Sequence, residues 1–166
     1  MNVQIAPAGA EEDSALAALL QLYVYDFSEM LGLDVGDDGR YRVPPTEGRD
    51  AFLVRVDGKL AGFALHVGKS RITGESGVHD VAEFFVLQRY RRAGVGEHAA
   101  RWLFDRFPGR WEVRQKAENS RAIAFWRRVI DRYTGGRFED EVLADERWHG
   151  PVQRFENSRA HTHGLT

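Results

Sequence analysis

Cysteine is absent from the 166 residues, which removes a disulfide framework, a thiolate metal site and a cysteine nucleophile from consideration. No apolar stretch approaches the ~20 residues needed to span a bilayer, so no membrane association is expected. Met1 to Ala10 has no basic patch followed by an apolar run, so no signal peptide is expected and a cytoplasmic location is. Strong charge of one sign is also missing. The formal net charge is −2, too near neutral to advertise nucleic acid as a partner. The six histidines include no H-E-x-x-H spacing, and His161 and His163 stand in the polar C-terminal stretch, so no metal is expected. Neither an internal repeat nor a low-complexity linker is visible. What remains is a chain with 43% hydrophobic and 29% charged residues, which is the composition of an ordinary globular protein. Its length suits one domain, expected over residues 1–155, with a polar tail over 156–166. Charge is spread unevenly, with acids crowding 26–50 and arginines 89–137. That asymmetry suggests a local anion site rather than a polyanion-binding surface.

Element signals follow in order. Asn2–Ala6 reads as a strand. Leu16, Leu19, Leu20 and Tyr23 recur at helical spacing after a cap at Asp13 or Ser14. That helix is expected to break near Asp26, with a second short one at Phe27–Leu31. Residues 32–50 are rich in glycine and proline and read as a long loop, with one short extended piece at Tyr41–Val43. Ala51–Val56 and Leu60–Val67 flank Asp57-Gly58, a strong hairpin signal. Val78–Leu87 is a longer strand whose end, Phe84-Phe85-Val86-Leu87, is apolar on both faces. A helix to about Phe107 follows, carrying Val95, Ala99, Trp102 and Leu103 on one stripe. Trp111–Arg114 is a short strand. Asn119 caps a helix presenting Ala122, Ile123, Trp126, Val129 and Ile130, which Gly135-Gly136 stops. Strands near Phe138–Leu143 and Arg147–Phe155 close the pattern. The order is that of an α+β fold with a mixed, mostly antiparallel sheet and helices on both faces.

Between the long strand and its helix lies Arg91-Arg92-Ala93-Gly94-Val95-Gly96. The first N–H groups of a helix have no partner within it, and the macrodipole adds about half a positive charge there. Glycine lets a phosphate approach the backbone, and two arginines add charge-assisted donors. The segment is therefore equipped for a pyrophosphate. It is neither G-x-G-x-x-G nor a Walker A loop. The plain alternative is a turn with a solvated arginine rim.

The run Phe85-Val86-Leu87-Gln88-Arg89-Tyr90-Arg91-Arg92-Ala93-Gly94-Val95-Gly96 resembles the R/Q-x-x-G-x-G/A signature of the GNAT superfamily of acetyl-CoA-dependent N-acetyltransferases. Asn119-Ser120-Arg121-Ala122-Ile123-Ala124-Phe125-Trp126 resembles its second motif, N-x-x-A-x-x-F-Y. The two stand in the right order at the usual separation. The resemblance covers about residues 51–138 well and the first helices loosely. It implies a GNAT fold and acetyl-CoA as co-substrate, with backbone groups of Arg91, Arg92, Ala93, Gly94, Val95 and Gly96 on the pyrophosphate. Phe85 and Val86 would meet the pantetheine arm and the thioester carbonyl through main-chain atoms, and Asn119 would sit beside that arm. Many members of the superfamily pair as homodimers.

Acetyl transfer to a primary amine by direct attack in a ternary complex needs a held carbonyl, a departing thiolate and a base for the amine proton. Glu83 is the one carboxylate in an otherwise apolar strand, two residues from Phe85 and on the same side. It is the candidate catalytic base; its structural alternative is an arginine pair. The sequence departs from the family at Trp126, where many members carry a tyrosine thought to protonate the leaving thiolate. Indole N–H is no usable acid. Tyr133, Tyr23 or Tyr25 could take that role, and core packing accounts for Trp126. Tyr23, Tyr25, Asp26, Glu29, Asp34, Asp37 and Asp38 are concentrated on the expected acceptor side. They suit a cationic small-molecule or peptide amine as well as an ordinary exposed loop. The alternative function is a non-catalytic acetyl-CoA-binding or regulatory module.

Overall fold

A computed structural model describes residues 1–157; from residue 158 the expected tail, with His161 and His163, lies outside the described residues. The strands are β1 (Val3–Pro7), β2 (Asp50–Val56), β3 (Lys59–Lys69), β4 (Ser76–Val86), β5 (Gly109–Arg114), β6 (Glu139–Asp145) and β7 (Trp148–Asn157), and the helices are α1 (Asp13–Leu31), α2 (Val95–Arg106) and α3 (Ser120–Thr134). The strands form a seven-stranded sheet in the order β1-β2-β3-β4-β5-β7-β6. Pairing is antiparallel for β1–β2, β2–β3, β5–β7 and β6–β7. β4 and β5 run parallel, through Val78↔Arg110 and His79↔Trp111. The described residues fall into two compact units, one of residues 1–66 with 82–96, the other of residues 67–81 with 97 onward.

In the first unit, Asp57 and Gly58 both take positive φ, 49° and 80°, as the tight turn between β2 and β3 requires. Leu16, Leu19, Leu20 and Val24 of α1 are buried, as are Phe52, Val54, Phe63 and Leu65 of the hairpin. Two expectations about α1 need correction. Asp13 is its first residue rather than its cap, because a 3-10 turn at Ala10–Glu12 leads straight in. Nor does it break at Asp26. The Asp26 carboxylate accepts from Arg91 and Gln88 instead of competing for its own backbone, and the helix runs on to Gly32, whose φ of 65° caps it.

Residues 32–49 contain no strand, so the extended piece expected at Tyr41–Val43 is absent. Tyr41 is instead bound to a side chain. Its N–H donates to Gln21 Oε1 and its carbonyl accepts from Gln21 Nε2, both at 2.8 Å. One glutamine amide thus supplies the donor and acceptor that a neighbouring strand would have offered.

In the second unit, Leu103 and Phe104 of α2 are buried, with Trp111, Val129, Ile130 and Phe155. The Phe104 ring meets Trp111 and Phe155 edge-on, each at 4.9 Å. β7 continues past Phe155 to Asn157, whose amide donates to Phe104 O and Tyr133 Oη and whose Oδ1 accepts from Gly109 N–H. Those bonds explain why the strand outruns its apolar signal.

Candidate active site

Glu83 lies in the first unit near the end of β4, with its side chain 15% exposed. Tyr23 of α1 donates its hydroxyl to Glu83 Oε2 at 2.5 Å. Arg49 Nη1 stands 3.6 Å from Glu83 Oε1, which is ion-pair range but beyond a hydrogen bond. The Tyr23 ring packs against Phe27, Phe63 and Phe85 at 4.7, 5.4 and 5.7 Å. Glu83 is therefore a carboxylate among aromatic rings, held by a phenol on one oxygen and facing a guanidinium with the other. Carboxylate oxygens offer about four acceptor sites, so capacity remains for an incoming proton.

Arg49 had no signal in the sequence. It sits at the end of a loop and reaches Glu83 only because β2 begins at the next residue. Tyr23 was legible as part of the buried stripe, but not its partner.

Just after Glu83 the strand end is tightly built. Gly62 faces it so closely that a Cβ there would lie 2.0 Å from the Phe85 carbonyl oxygen. Leu87 N–H donates to Ala61 O at 2.8 Å. Arg91 Nε donates to Val86 O at 2.8 Å, its Nη2 meets Asp26 Oδ2 at 2.8 Å, and its guanidinium lies 5.6 Å from the Phe85 ring centroid. The Arg91 side chain is thus engaged by the strand end and α1. Asp26 and the Val86 carbonyl are the reason: both are within reach of a side chain leaving the short 3-10 turn at Gln88–Tyr90.

Arg92 differs. It is exposed and takes φ 63°, a left-handed conformation unusual for a non-glycine residue. Gly94 follows at φ 80°, and nothing lies within 4 Å of where its Cβ would be. The loop therefore has open space over its backbone, with an adjacent cationic arm, immediately before α2 opens at Val95. Those features fit a pyrophosphate.

The sequence model of the acetyltransferase (GNAT) family matches residues 16–130. The chain belongs to the GNAT acetyltransferase family. Its fold agrees with solved acetyltransferases. The ribosomal-protein-S18-alanine N-acetyltransferase from Escherichia coli is 15% identical, with 99% of this chain and 100% of that one covered and a TM-score of 0.58. AAC(6')-Ib in complex with ribostamycin and coenzyme A is 14% identical over 94% of each chain, with a TM-score of 0.60. An acetyltransferase from Thermus thermophilus is 13% identical, with 94% and 97% covered and a TM-score of 0.65. Among curated protein sequences, none matches significantly.

The remaining residues of this GNAT chain that carry expectations belong to the second unit. Asn119 caps α3, accepting from Ala122 N–H at 3.1 Å, as its helix-start position dictates. Trp126 is 6% exposed and packs near Phe104 and Phe125, in keeping with a core role. Tyr133 donates its hydroxyl to Asp105 and accepts from Asn157. Burial, with the Asp105 contact, pushes that phenol up to about 12, which makes it a poor source of protons near neutrality. Tyr25, in the first unit, is 66% exposed, its ring 6.5 Å from Tyr41. The arginines of the second unit are largely paired: Arg101 and Arg132 with Glu97, Arg110 with Glu75, Arg114 with Asp80 and Arg127 with Asp140. No helix among the described residues is long and apolar enough to cross a membrane.

Proposed function

We propose that this protein transfers an acetyl group from acetyl-CoA to a primary amine by direct attack. The observation that carries the reading is the juxtaposition, on one short segment, of the Glu83 carboxylate, the fixed end of β4 and an open loop leading into a helix N-terminus. Acetyl-CoA supplies the activated thioester. The backbone of Arg91–Gly96 receives the pyrophosphate, helped by the Arg92 side chain. Main-chain atoms of Phe85 and Val86 meet the pantetheine arm and thioester carbonyl; the Val86 carbonyl, already accepting from Arg91, keeps a lone pair for an amide N–H of that arm. Asn119 is assigned to the same arm on the family motif.

Chemistry then needs little more. The amine nitrogen forms the new C–N bond, the C–S bond breaks, and one amine proton passes to Glu83 and on to water. A thiol of pKa near ~8.5 leaves as thiolate without a dedicated acid. This accommodates Trp126 at the tyrosine position and the commitment of Tyr133 to Asp105.

A second reading has support of its own. Both Glu83 oxygens face partners, Tyr23 and Arg49, as a purely structural carboxylate would. A chain that binds acetyl-CoA without turnover is consistent with that. Calorimetric titration with acetyl-CoA, followed by thiol release across a panel of amines, separates the two. Micromolar binding with amine-dependent release is the expected result, and Glu83→Gln should lower turnover at least about tenfold with acetyl-CoA affinity nearly unchanged. Binding with no release on any amine favours the non-catalytic reading.

A further inference from the structure

We propose that the outer face of α1 and the segment after it, from Leu22 to Asp38, dock a basic amphipathic segment of a second protein, whose amine is then the acceptor. Docking stands on the surface alone. Its role as acceptor rests on the transferase reading above.

Seven large apolar side chains are exposed among the described residues, and five of them fall in one short stretch: Leu22, Tyr25, Met30, Leu33 and Val35. Single exposed apolar residues scattered over a surface are ordinary; so many in so short a stretch of chain are not. On a helix turning about 100° per residue, Leu22, Tyr25 and Glu29 stand within about 60° of one another. Leu16, Leu20 and Val24, which are buried, occupy the opposite side. A helix with one covered face usually turns polar residues to solvent. Here leucine and tyrosine take the centre of the solvent face, so α1 has apolar surface that the described residues leave uncovered.

Charge narrows the occupant. No lysine or arginine precedes Arg40, whereas Glu29, Asp34, Asp37 and Asp38 are all exposed. Glu29, Asp34 and Asp37 take part in no ion pair among the described residues. A polar polycation would satisfy the acids and leave the leucines wet. An anionic lipid surface would be repelled. A second copy in a two-fold contact would set the same acids against each other. A peptide segment with lysine or arginine on one side and apolar side chains on the other satisfies both features. Placement suits delivery of an amine, since Asp26, which stands within about 60° of Leu22 and Glu29 on α1, contacts Arg91 after the strand end.

The probe is a fluorescein-labelled peptide of about 15 residues with a free N-terminus, a lysine-rich face and a leucine-rich face. Anisotropy is read on the whole chain, with spermine and a leucine-free lysine peptide as controls. Saturable micromolar binding is expected, weakening about tenfold in Leu22→Ser/Tyr25→Ser and again in Glu29→Gln/Asp34→Asn/Asp37→Asn, and falling with salt. Acetyl-CoA affinity of each variant serves as the folding control. Binding that neither variant weakens, equal binding of the leucine-free peptide, or a dimer that Leu22→Ser/Tyr25→Ser dissociates would overturn the proposal. Thiol release with small amines is followed in parallel. Release without peptide binding ends the docking inference and leaves the transferase standing; peptide binding without release on peptide or amine ends the acceptor role and leaves the docking surface.

Discussion

Replacing Tyr23 by phenylalanine deletes one oxygen and tests whether Glu83 is held as the geometry indicates. The hydroxyl lies 2.5 Å from Glu83 Oε2, and the carboxylate side chain is 15% exposed, so solvent replaces the lost donor poorly. A hydrogen bond to a charged group contributes about 1.5–3 kcal/mol. Arg49, at 3.6 Å from the other oxygen, does not substitute for it. Tyr23→Phe should therefore destabilise by roughly 2 kcal/mol, a fall of roughly 4–8 °C in Tm for a chain of this size. With Gln at position 83 the same bond becomes neutral, worth about 0.5–1.5 kcal/mol. The double-mutant cycle should then show a coupling of about 1 kcal/mol. Urea denaturation of the four proteins supplies the numbers. A loss under about 0.5 kcal/mol in the parent, or an identical loss in the Glu83→Gln background, refutes the claim that the phenol holds the carboxylate.

Gly62→Ala should be among the most damaging single-methyl changes in the chain. Its Cβ would meet backbone, Phe85 O at 2.0 Å, with no flexible side chain to give way. A loss of about 3 kcal/mol, read as a Tm drop near ~10 °C, should accompany weaker acetyl-CoA binding; a near-neutral variant would show that the strand end is not clamped. Arg92→Gly should divide two properties. Relief of the positive φ stabilises by up to about 1 kcal/mol, while acetyl-CoA affinity falls about fivefold for want of the cationic arm; unchanged affinity would remove Arg92 from the phosphate site. The His79 imidazole lies below its ordinary range, because burial against Phe107 and Trp111 disfavours its charge more than the Pro108 carbonyl favours it. A depressed folded-state pKa means that its contribution is fully present above about 6.5 and is lost as pH falls through the folded value. Denaturation at pH values of about 7.5 and about 5.5, either side of that ordinary value, should therefore show a smaller loss in His79→Gln than in the parent; equal losses would contradict the assignment.

Most element positions were legible because their signals are local. Asp57-Gly58 fixed a hairpin that needs two positive φ values, and Asn119 and Gly135 mark the ends of α3 through cap chemistry alone. The family motifs marked the loop. The misread cap at Asp13 has a local cause, the 3-10 turn before it, whereas the others come from a long-range partner. Asp26 looks like a helix breaker until Arg91, 65 residues on, takes its carboxylate. Tyr41 looks like a strand residue until Gln21 supplies its hydrogen bonds. Glu83 as a carboxylate in an apolar strand was plain to see. Its neighbours Tyr23 and Arg49 were not, since nothing in local periodicity pairs residues across such separations.

The Gln21–Tyr41 tether sets the local dynamics of the acidic segment. Two neutral hydrogen bonds contribute about 1–3 kcal/mol together, well below the stability of a whole domain. The stretch around Tyr41 can thus detach from α1 while Arg49 and the sheet stay in place, an excursion that amide exchange at Tyr41 would register before any strand amide opens. The tether also divides the excursion at residue 41. Lengthening the turn between Gly36 and Gly39 costs its own two backbone hydrogen bonds and otherwise only about 0.6 kcal/mol per doubling of the loop, so a reporter sequence inserted there should leave Arg49 in place beside Glu83.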